Sequence, residues 1–434
     1  MAFVGDSGLK VMVIGAGGRE HALVLGLLQS TRVQEVVCAP GNAGISTMAR
    51  CTSVDLSDVA ETASIVRAEG PDLVVIGPEL PLSLGLVDEL TSLGVRVFGP
   101  TQGAAKLETS KAYAKDFLRR YEIPTAAYAL CTTLDEVQEE LRQFSVPVVV
   151  KASGLAAGKG VVICRTHLEA LAAAGEMFSG AMLGSAETEV VLEEFLDGEE
   201  LSFFAMCDGI RAVPVAAARD HKRVGEGDTG PNTGGMGAYS TDDLMGVEMR
   251  EWLTREVAQR TVDGMRSEGE PFRGMLFCGM MLVPVGDGTV QPMVLEFNTR
   301  WGDPETEAIV LRLKTPLLDL LEASVDGIPE GFAVELKSGA SACVVAASGG
   351  YPGGYEVGKV ISGLNQVGGD VSVFHAGTAF KDGEIVTAGG RVLAVAAESE
   401  LGLEDALKKV YKAMGEIHFE GMQYRRDIGS RALR

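Results

Sequence analysis

The chain has 434 residues, 46% of them hydrophobic and 23% charged, which is too long for one ordinary core and excludes a disordered or fibrous protein. Its 38 Lys+Arg against 60 Asp+Glu leave a formal net charge of −22, which excludes binding to nucleic acid or anionic membrane by bulk charge. Seven cysteines, at 38, 51, 131, 164, 207, 278 and 343, form no CxxC pair, and the longest nearly apolar run, 275–285, is far short of a membrane span. No charged-then-apolar leader opens the chain, so a reducing, cytoplasmic setting is the expectation.

The first hundred residues alternate β-branched runs with helical patterns: a strand at 10–15, a helix from about Arg19, a strand at 35–40, a helix at 57–69, and strands at 73–77 and 95–99. This rhythm predicts a parallel sheet. Val59, Ala63 and Val66 share one face of the 57–69 helix, and Gly70 stops it. The loops GAGGREH, APGNAG and GPELP follow strands, and a parallel sheet gathers such loops at the edge where ligands bind. From Thr109 the pattern runs helix, β-rich stretch, short helix and strands to about 206; helical periodicity then returns at 248–267, before strands at 274–283 and 291–298 and a helix from Pro304 to Leu313. After Gly327-Ile328-Pro329 the chain reads as β-rich, with a tight hairpin at 381–384 and one helix at 401–415.

Five stretches carry chemistry. In GAGGREH, Arg19 and Glu20 stand where a dinucleotide fingerprint needs its spacing to a third glycine, so a nicotinamide cofactor is disfavoured. Helix-end amides with Arg19 suit a single phosphate or a carboxylate; a tight turn with no ligand is the plainer alternative. In KASGLAAGKG, Lys151 ends a strand and Gly154, Gly158 and Gly160 return the chain to the next. The spacing is not that of a Walker A loop, which leaves a lid over a triphosphate or an ordinary hairpin. VVLEEFLDGEELS sets Glu193, Glu194, Phe195 and Leu196 at a strand end, with Glu199 and Glu200 following: an adenine edge with a ribose carboxylate, or solvated acids.

In LEFNTRWGDPETEA, strand alternation sends Glu296 and Asn298 to one face and Phe297 to the other. A carboxylate and an amide oxygen projecting together suit magnesium bridging phosphates. Arg300, two residues further, could hold a substrate carboxylate, a structural Glu–Arg pair being the alternative. Lastly, 218–240 is a polar, glycine-rich stretch that reads as one long loop closing over a ligand. Asp220, His221, Lys222 and Arg223 could contact phosphates or an amine, with His221 either a base or a surface histidine.

In order and spacing, Lys111, Lys151 with its glycine loop, EEFLDGEE and the E-F-N triplet resemble the ATP-grasp superfamily. With VIGAGGREHAL, APGNAG, GPELPLSLGLVD, SKAYAKDFL and RDHKRVGEGDTGPNTGGMGAYS, the chain closely resembles the phosphoribosylamine–glycine ligase family from Lys10 to about residue 429. The resemblance implies an α/β ATP-grasp fold: an N-terminal parallel-sheet (pre-ATP-grasp) domain at 1–108, an ATP-grasp domain at 109–328 with a lid at about 124–196, and a C-terminal β-rich domain at 329–434. It further implies that ATP, as co-substrate with Mg2+ or Mn2+, phosphorylates glycine and that 5-phosphoribosylamine captures the glycyl phosphate, a step of purine (IMP) biosynthesis.

Carried onto this chain, Lys111, Lys151, Gly158 and Lys159 would hold phosphates, Glu193, Glu194, Phe195 and Leu196 the adenine, Glu200 the ribose, and Glu296 and Asn298 the metal. Gly17, Gly18, Asn42, Glu79, Gly302 and Asp303 would bind substrate, the N-terminal loops with Gly17, Asn42 and Glu79 receiving phosphoribosylamine, with Asp220 and Arg300 the catalytic pair nearer glycine. Small molecules are the expected partners of a monomer or small homo-oligomer, without nucleic acid, membrane or a fused downstream enzyme. Three departures from the family stand out: the 274–283 strand offers no second metal carboxylate, Trp301 replaces an expected phenylalanine, and Glu307 stands where glutamine is usual. The competing readings are another ATP-grasp ligase or carboxylase, a pyridine-nucleotide oxidoreductase, and a non-catalytic nucleotide-binding regulator.

Overall fold

The computed structural model describes residues 8–154, 160–182 and 187–433. The N-terminal part comprises β1 (Leu9–Gly15), α1 (Gly18–Leu28), β2 (Val33–Pro40), β3 (Arg50–Cys51), α2 (Val59–Glu69), β4 (Leu73–Ile76), α3 (Glu79–Ser83), α4 (Leu86–Ser92) and β5 (Val97–Phe98). All four strand pairings are parallel, in the order β3-β2-β1-β4-β5. Alternation along β1 explains its unbroken apolar run. Met12 and Ile14 pack with Ala63 and Val66 of α2 and Leu86 and Leu90 of α4, while Val11 and Val13 join Leu23 and Leu27 of α1 in a second core. Helix α2 begins at Asp58, whose side chain accepts from the Glu61 amide, and ends at Gly70, whose φ of 59° is the left-handed stop read from the sequence.

Next come α5 (Gln102–Thr109), α6 (Lys111–Arg120), β6 (Tyr128–Cys131), α7 (Leu134–Glu140), β7 (Val148–Ala152), β8 (Val161–Cys164), α8 (His167–Ser179) and β9 (Val190–Glu194). Strands β6, β9, β7 and β8 form an antiparallel sheet in that order, covered by α7 and α8. The following strands are β10 (Glu199–Asp208), β11 (Ala212–Asp220), β12 (Arg223–Gly225), β13 (Thr229–Asn232) and β14 (Gly237–Thr241). A continuous helical stretch joins α9 (Val247–Trp252) to α10 (Arg260–Ser267) through a wider π-type turn over Leu253–Gln259. Then follow β15 (Arg273–Gly286), β16 (Thr289–Asn298), α11 (Glu305–Arg312), α12 (Leu317–Asp326), β17 (Ala340–Ala347), β18 (Ser372–His375), β19 (Thr378–Lys381), β20 (Glu384–Thr387), β21 (Arg391–Ser399) and α13 (Leu403–Met414). The hairpin between β19 and β20 turns on Asp382 and Gly383, both at positive φ (53° and 84°), as a two-residue turn requires.

One eight-stranded sheet runs β16-β15-β10-β11-β14-β17-β21-β18 and carries the chain from the central strands into the C-terminal ones without a break. Its link is β14, which pairs with both β11 and β17. The stretch 218–240, expected as one long loop, therefore differs in the structure: it folds into the small β12–β13 hairpin and the sheet strand β14. Its glycines are the reason. A side chain at Gly237 (φ 155°) would strike the Cys343 carbonyl, so only glycine lets β14 lie this close to β17. The hairpin is also fastened from outside, the Arg425 guanidinium donating to the Arg223 carbonyl (3.1 Å) and pairing with Asp228 (2.8 Å). No helix among the described residues is long and apolar enough to cross a membrane.

Candidate active site

Strand β16 sends Phe297 into the core, 2% exposed, while Glu296 and Asn298 line an open cleft of about 780 Å³ with Glu79, Glu108, Lys111, Lys151 and Arg300. Across from Glu296, β15 supplies Gly279, whose missing side chain leaves room for the carboxylate. No second acid comes from β15, and among the described residues no group of three or more His, Cys, Asp or Glu is arranged to hold a metal. A fit exists for a cation that takes few protein oxygens and completes its shell with substrate phosphates, as magnesium does. Burial works against ionisation of Glu296, but Lys222, Lys151, Lys111 and Arg300 outweigh it and hold its carboxyl below the usual range. The Asn298 amide oxygen now accepts from Arg300 (3.1 Å) and would have to share it.

The cleft's lysines differ in their engagements. Lys111 opens α6 and donates to the Gly154 carbonyl (3.1 Å); burial pulls its ammonium below the ordinary range. Lys151 donates to Glu193 (2.9 Å) and to the Leu295 carbonyl (3.3 Å). Gly158 and Lys159 lie outside the described residues. Glu193 is 2% exposed and lines the cleft, whereas Glu194 is exposed and Phe195 and Leu196 are half-buried. Lys115, which motif reading passed over, pairs with Glu193 at 2.9 Å; its position four residues after Lys111 on a helix was the available signal.

Asp220, at the end of β11, is pushed up to about 8 by burial, reinforced by Glu305, Glu200 and Glu296 against the pull of Lys222. Lys222 forms an ion pair with Glu200 at 2.8 Å and stands 4.0 Å from Glu296. Burial opposes its charge, but Glu200, Asp220 and Glu296 hold it well above the ordinary lysine range. His221 lies elsewhere. Its Nε2 accepts from the Gly429 amide at 3.3 Å, and burial brings the ring down to about 4. The side chain fits neither a surface histidine nor a base in the cleft.

Also on the cleft wall, Arg300 reaches three elements, α3, α5 and β16. Its guanidinium reaches Glu108 (3.0 Å), Asn298, the Trp301 carbonyl (3.2 Å) and, at 3.5 Å, Glu79; its Nε has no hydrogen-bond partner among the described residues. It does not bond Glu296; the structural Glu–Arg pair it makes is with Glu108 instead. Glu79 opens α3 and is held low by Arg300 and Arg19, which overcome its burial. Gly17 and Gly18 open α1, the Gly17 amide donating to Glu20 (2.6 Å). The Asn42 side chain is occupied with protein: it donates to the Ala16 and His375 carbonyls (2.8 and 2.7 Å) and accepts from the Ile45 amide. Asp303 pairs with Arg391 of β21 (3.1 Å), and a side chain at neighbouring Gly302 would strike Glu305.

Glu307, on α11, lies against Gly18 with one carboxyl oxygen unpartnered among the described residues. Burial above all, then Asp303, pushes its carboxyl well above the ordinary range. A raised folded-state pKa means stability that is complete below the unfolded value and is lost as pH rises through the folded one. Glu307→Gln, which keeps the shape and removes the charge, is therefore expected to melt with the parent near about pH 5 and above it at about pH 8. Thermal unfolding across that range is the check; a gain that shrinks as pH rises would contradict it.

Residues 9–108 match the N domain of phosphoribosylglycinamide synthetase, 109–306 its ATP-grasp (A) domain and 341–431 its C domain. The chain belongs to the phosphoribosylglycinamide synthetase family. Members similar to it include the phosphoribosylamine–glycine ligases of Xanthomonas axonopodis pv. citri, 49% identical over 98% of both chains, and Xanthomonas campestris pv. campestris, 48% identical over the same shares. The crystal structure of the phosphoribosylamine–glycine ligase of Thermotoga maritima superposes with a TM-score of 0.84 at 36% identity, covering 97% of this chain and 100% of that one. The family's α/β ATP-grasp architecture, with its N-terminal parallel sheet and antiparallel C-terminal strands, is the one described above.

Proposed function

We propose that the chain is an ATP-dependent ligase joining glycine to 5-phospho-D-ribosylamine through glycyl phosphate, yielding glycinamide ribonucleotide, ADP and phosphate in purine (IMP) biosynthesis. The observation that carries this reading is the cleft in which Glu296 and Asn298 meet Lys111 and Lys151, in a chain that matches the family along nearly its whole length. In the first step a glycine carboxylate oxygen bonds to the γ-phosphorus as the bond to ADP breaks. In the second, the amine nitrogen attacks the glycyl carbonyl, phosphate leaves, and the nitrogen gives up a proton.

Such phosphoryl transfer asks for positioning and charge neutralisation rather than a protein nucleophile. In this reading a divalent cation on Glu296 and Asn298, Mg2+ or Mn2+, would supply neutralising charge at the phosphates. Lys111 and Lys151, with Gly158 and Lys159, hold the phosphates. Glu193, Glu194, Phe195 and Leu196 frame the adenine, and Glu200 takes the ribose hydroxyls. Arg300, on the cleft wall, faces the glycine carboxylate, with Asp220 beside the ammonium. Gly17, Gly18, Asn42, Glu79, Gly302 and Asp303 border the phosphoribosylamine end. The enzyme works on small molecules in the cytoplasm, as a monomer or small homo-oligomer.

The test is ADP release with glycine alone, with phosphoribosylamine alone and with both. Turnover that needs both is the expected result; equal turnover without glycine would sink the reading.

A further inference from the structure

A buried polar cluster in the cleft is built around one oxygen. Lys115 and Lys151 both place their ammonium nitrogens 2.9 Å from Glu193 Oε2, while Glu193 Oε1 is buried with no partner among the described residues. A buried carboxylate oxygen accepts hydrogen bonds and nothing else, so an empty one on a cleft wall calls for a donor from outside the protein. The two lysines are not equivalent. Lys115 is 3% exposed and also donates to Thr125 Oγ1 (2.6 Å), which in turn donates to the Val294 carbonyl (2.6 Å). This chain of bonds ties α6 to β16 and leaves Lys115 no freedom to follow a ligand. Lys151 stands at the root of the glycine-rich loop, and its second contact is one long bond to a carbonyl.

We infer that Lys115 is a positioning residue for base selection: it holds the Glu193 carboxylate so that its free oxygen receives an amino group of the purine, and it frees Lys151 to turn to the phosphates. The inference rests on the reading of the cleft as an ATP site. With Lys115 in place, Glu193 stays paired when Lys151 leaves. Without it, Lys151 is the sole counter-charge for a desolvated carboxylate and is held there. Burial draws Lys115 down to about 8 against the opposing pull of Glu193. A purine with a 6-oxo group would set carbonyl oxygen against carboxylate oxygen and be rejected.

The experiment compares dissociation constants for Mg-ATP and Mg-ITP, without glycine, in the full-length protein and in Lys115→Met and Lys115→Arg. The unaltered protein is expected to prefer ATP by about tenfold or more. Lys115→Met should cut that preference to about threefold or less and weaken ATP itself, and Lys115→Arg should restore part of it. An unchanged ATP-to-ITP ratio in Lys115→Met, with the melting profile preserved, overturns the inference, as does an unaltered protein that binds the two nucleotides equally. An unaltered protein that binds neither overturns the ATP reading itself. Should Lys115→Met fail to fold, Thr125→Val removes the anchor while keeping the shape, and there too a narrowed ratio supports the inference and an unchanged ratio overturns it.

Discussion

Glu296→Gln is expected to lower turnover by about 1,000-fold or more, the rate equivalent of the several kcal/mol a metal supplies at a phosphoryl group, while the protein melts within about 2 °C of its parent. The reasoning is geometric. Opposite Glu296 the neighbouring strand carries Gly279 and no acid, so no other carboxylate on β15 can take over. The substitution keeps the shape and removes the charge. Four cations favour the charge, but the loss to the fold should be small, because the Glu296 side chain is 37% exposed in the cleft and its nearest ion pair, with Lys222, is already stretched to 4.0 Å. Steady-state ADP release, with a melting curve on the same preparation, is the check. Activity within tenfold of the parent would mean that the metal is held elsewhere.

Arg300→Met should damage both function and fold. Glu108 is nearly buried, and burial already pushes its carboxyl above the ordinary range despite the pull of Arg300. Removing the guanidinium strands that carboxylate, which costs about 3 kcal/mol in comparable buried pairs. The loss of Arg300 raises the folded-state pKa of Glu108 further. The defect is therefore smallest at low pH, where the acid is neutral in both states, and grows as pH rises through the folded value. A second change, Glu108→Gln, should recover much of the stability and none of the turnover. Arg300→Lys is expected to restore little, since one ammonium cannot span Asn298, Glu108 and the Trp301 carbonyl together. Chemical denaturation of the single and double variants at two pH values decides the matter; a double variant no more stable than Arg300→Met would refute the role given to Glu108.

The elements that were readable from the chain share a local cause. Asp58 and Gly70 bracket α2, Asp382 and Gly383 make their turn, and Phe297 alternates with Glu296 and Asn298, because caps, turns and strand faces are settled by residues a few positions apart. The glycine-rich stretch at 218–240 was read as a lid because glycines there meet no apolar period. Their use is to let β14 pass close to β17, and only the distant strand makes that visible. His221 was ambiguous for a related reason: what it faces is the Gly429 amide, from a segment almost at the other end of the chain.

By itself, then, the sequence determined the alternating strands and helices of the N-terminal part, the family and the shared face of Glu296 and Asn298, since each rests on patterns written within a few neighbouring residues or on motifs kept in order. Only the tertiary structure decided which charges meet. It set Lys115 and Lys151 on one oxygen of Glu193, Arg300 on Glu108 rather than Glu296, Lys222 among three carboxylates, and Glu307 unpartnered against Gly18. Those pairings join α5, α6, β7, β9, β11, β16 and α11 across the cleft. Burial makes each of them costly to leave unmade, and burial is a property of the packed fold rather than of any short run of residues.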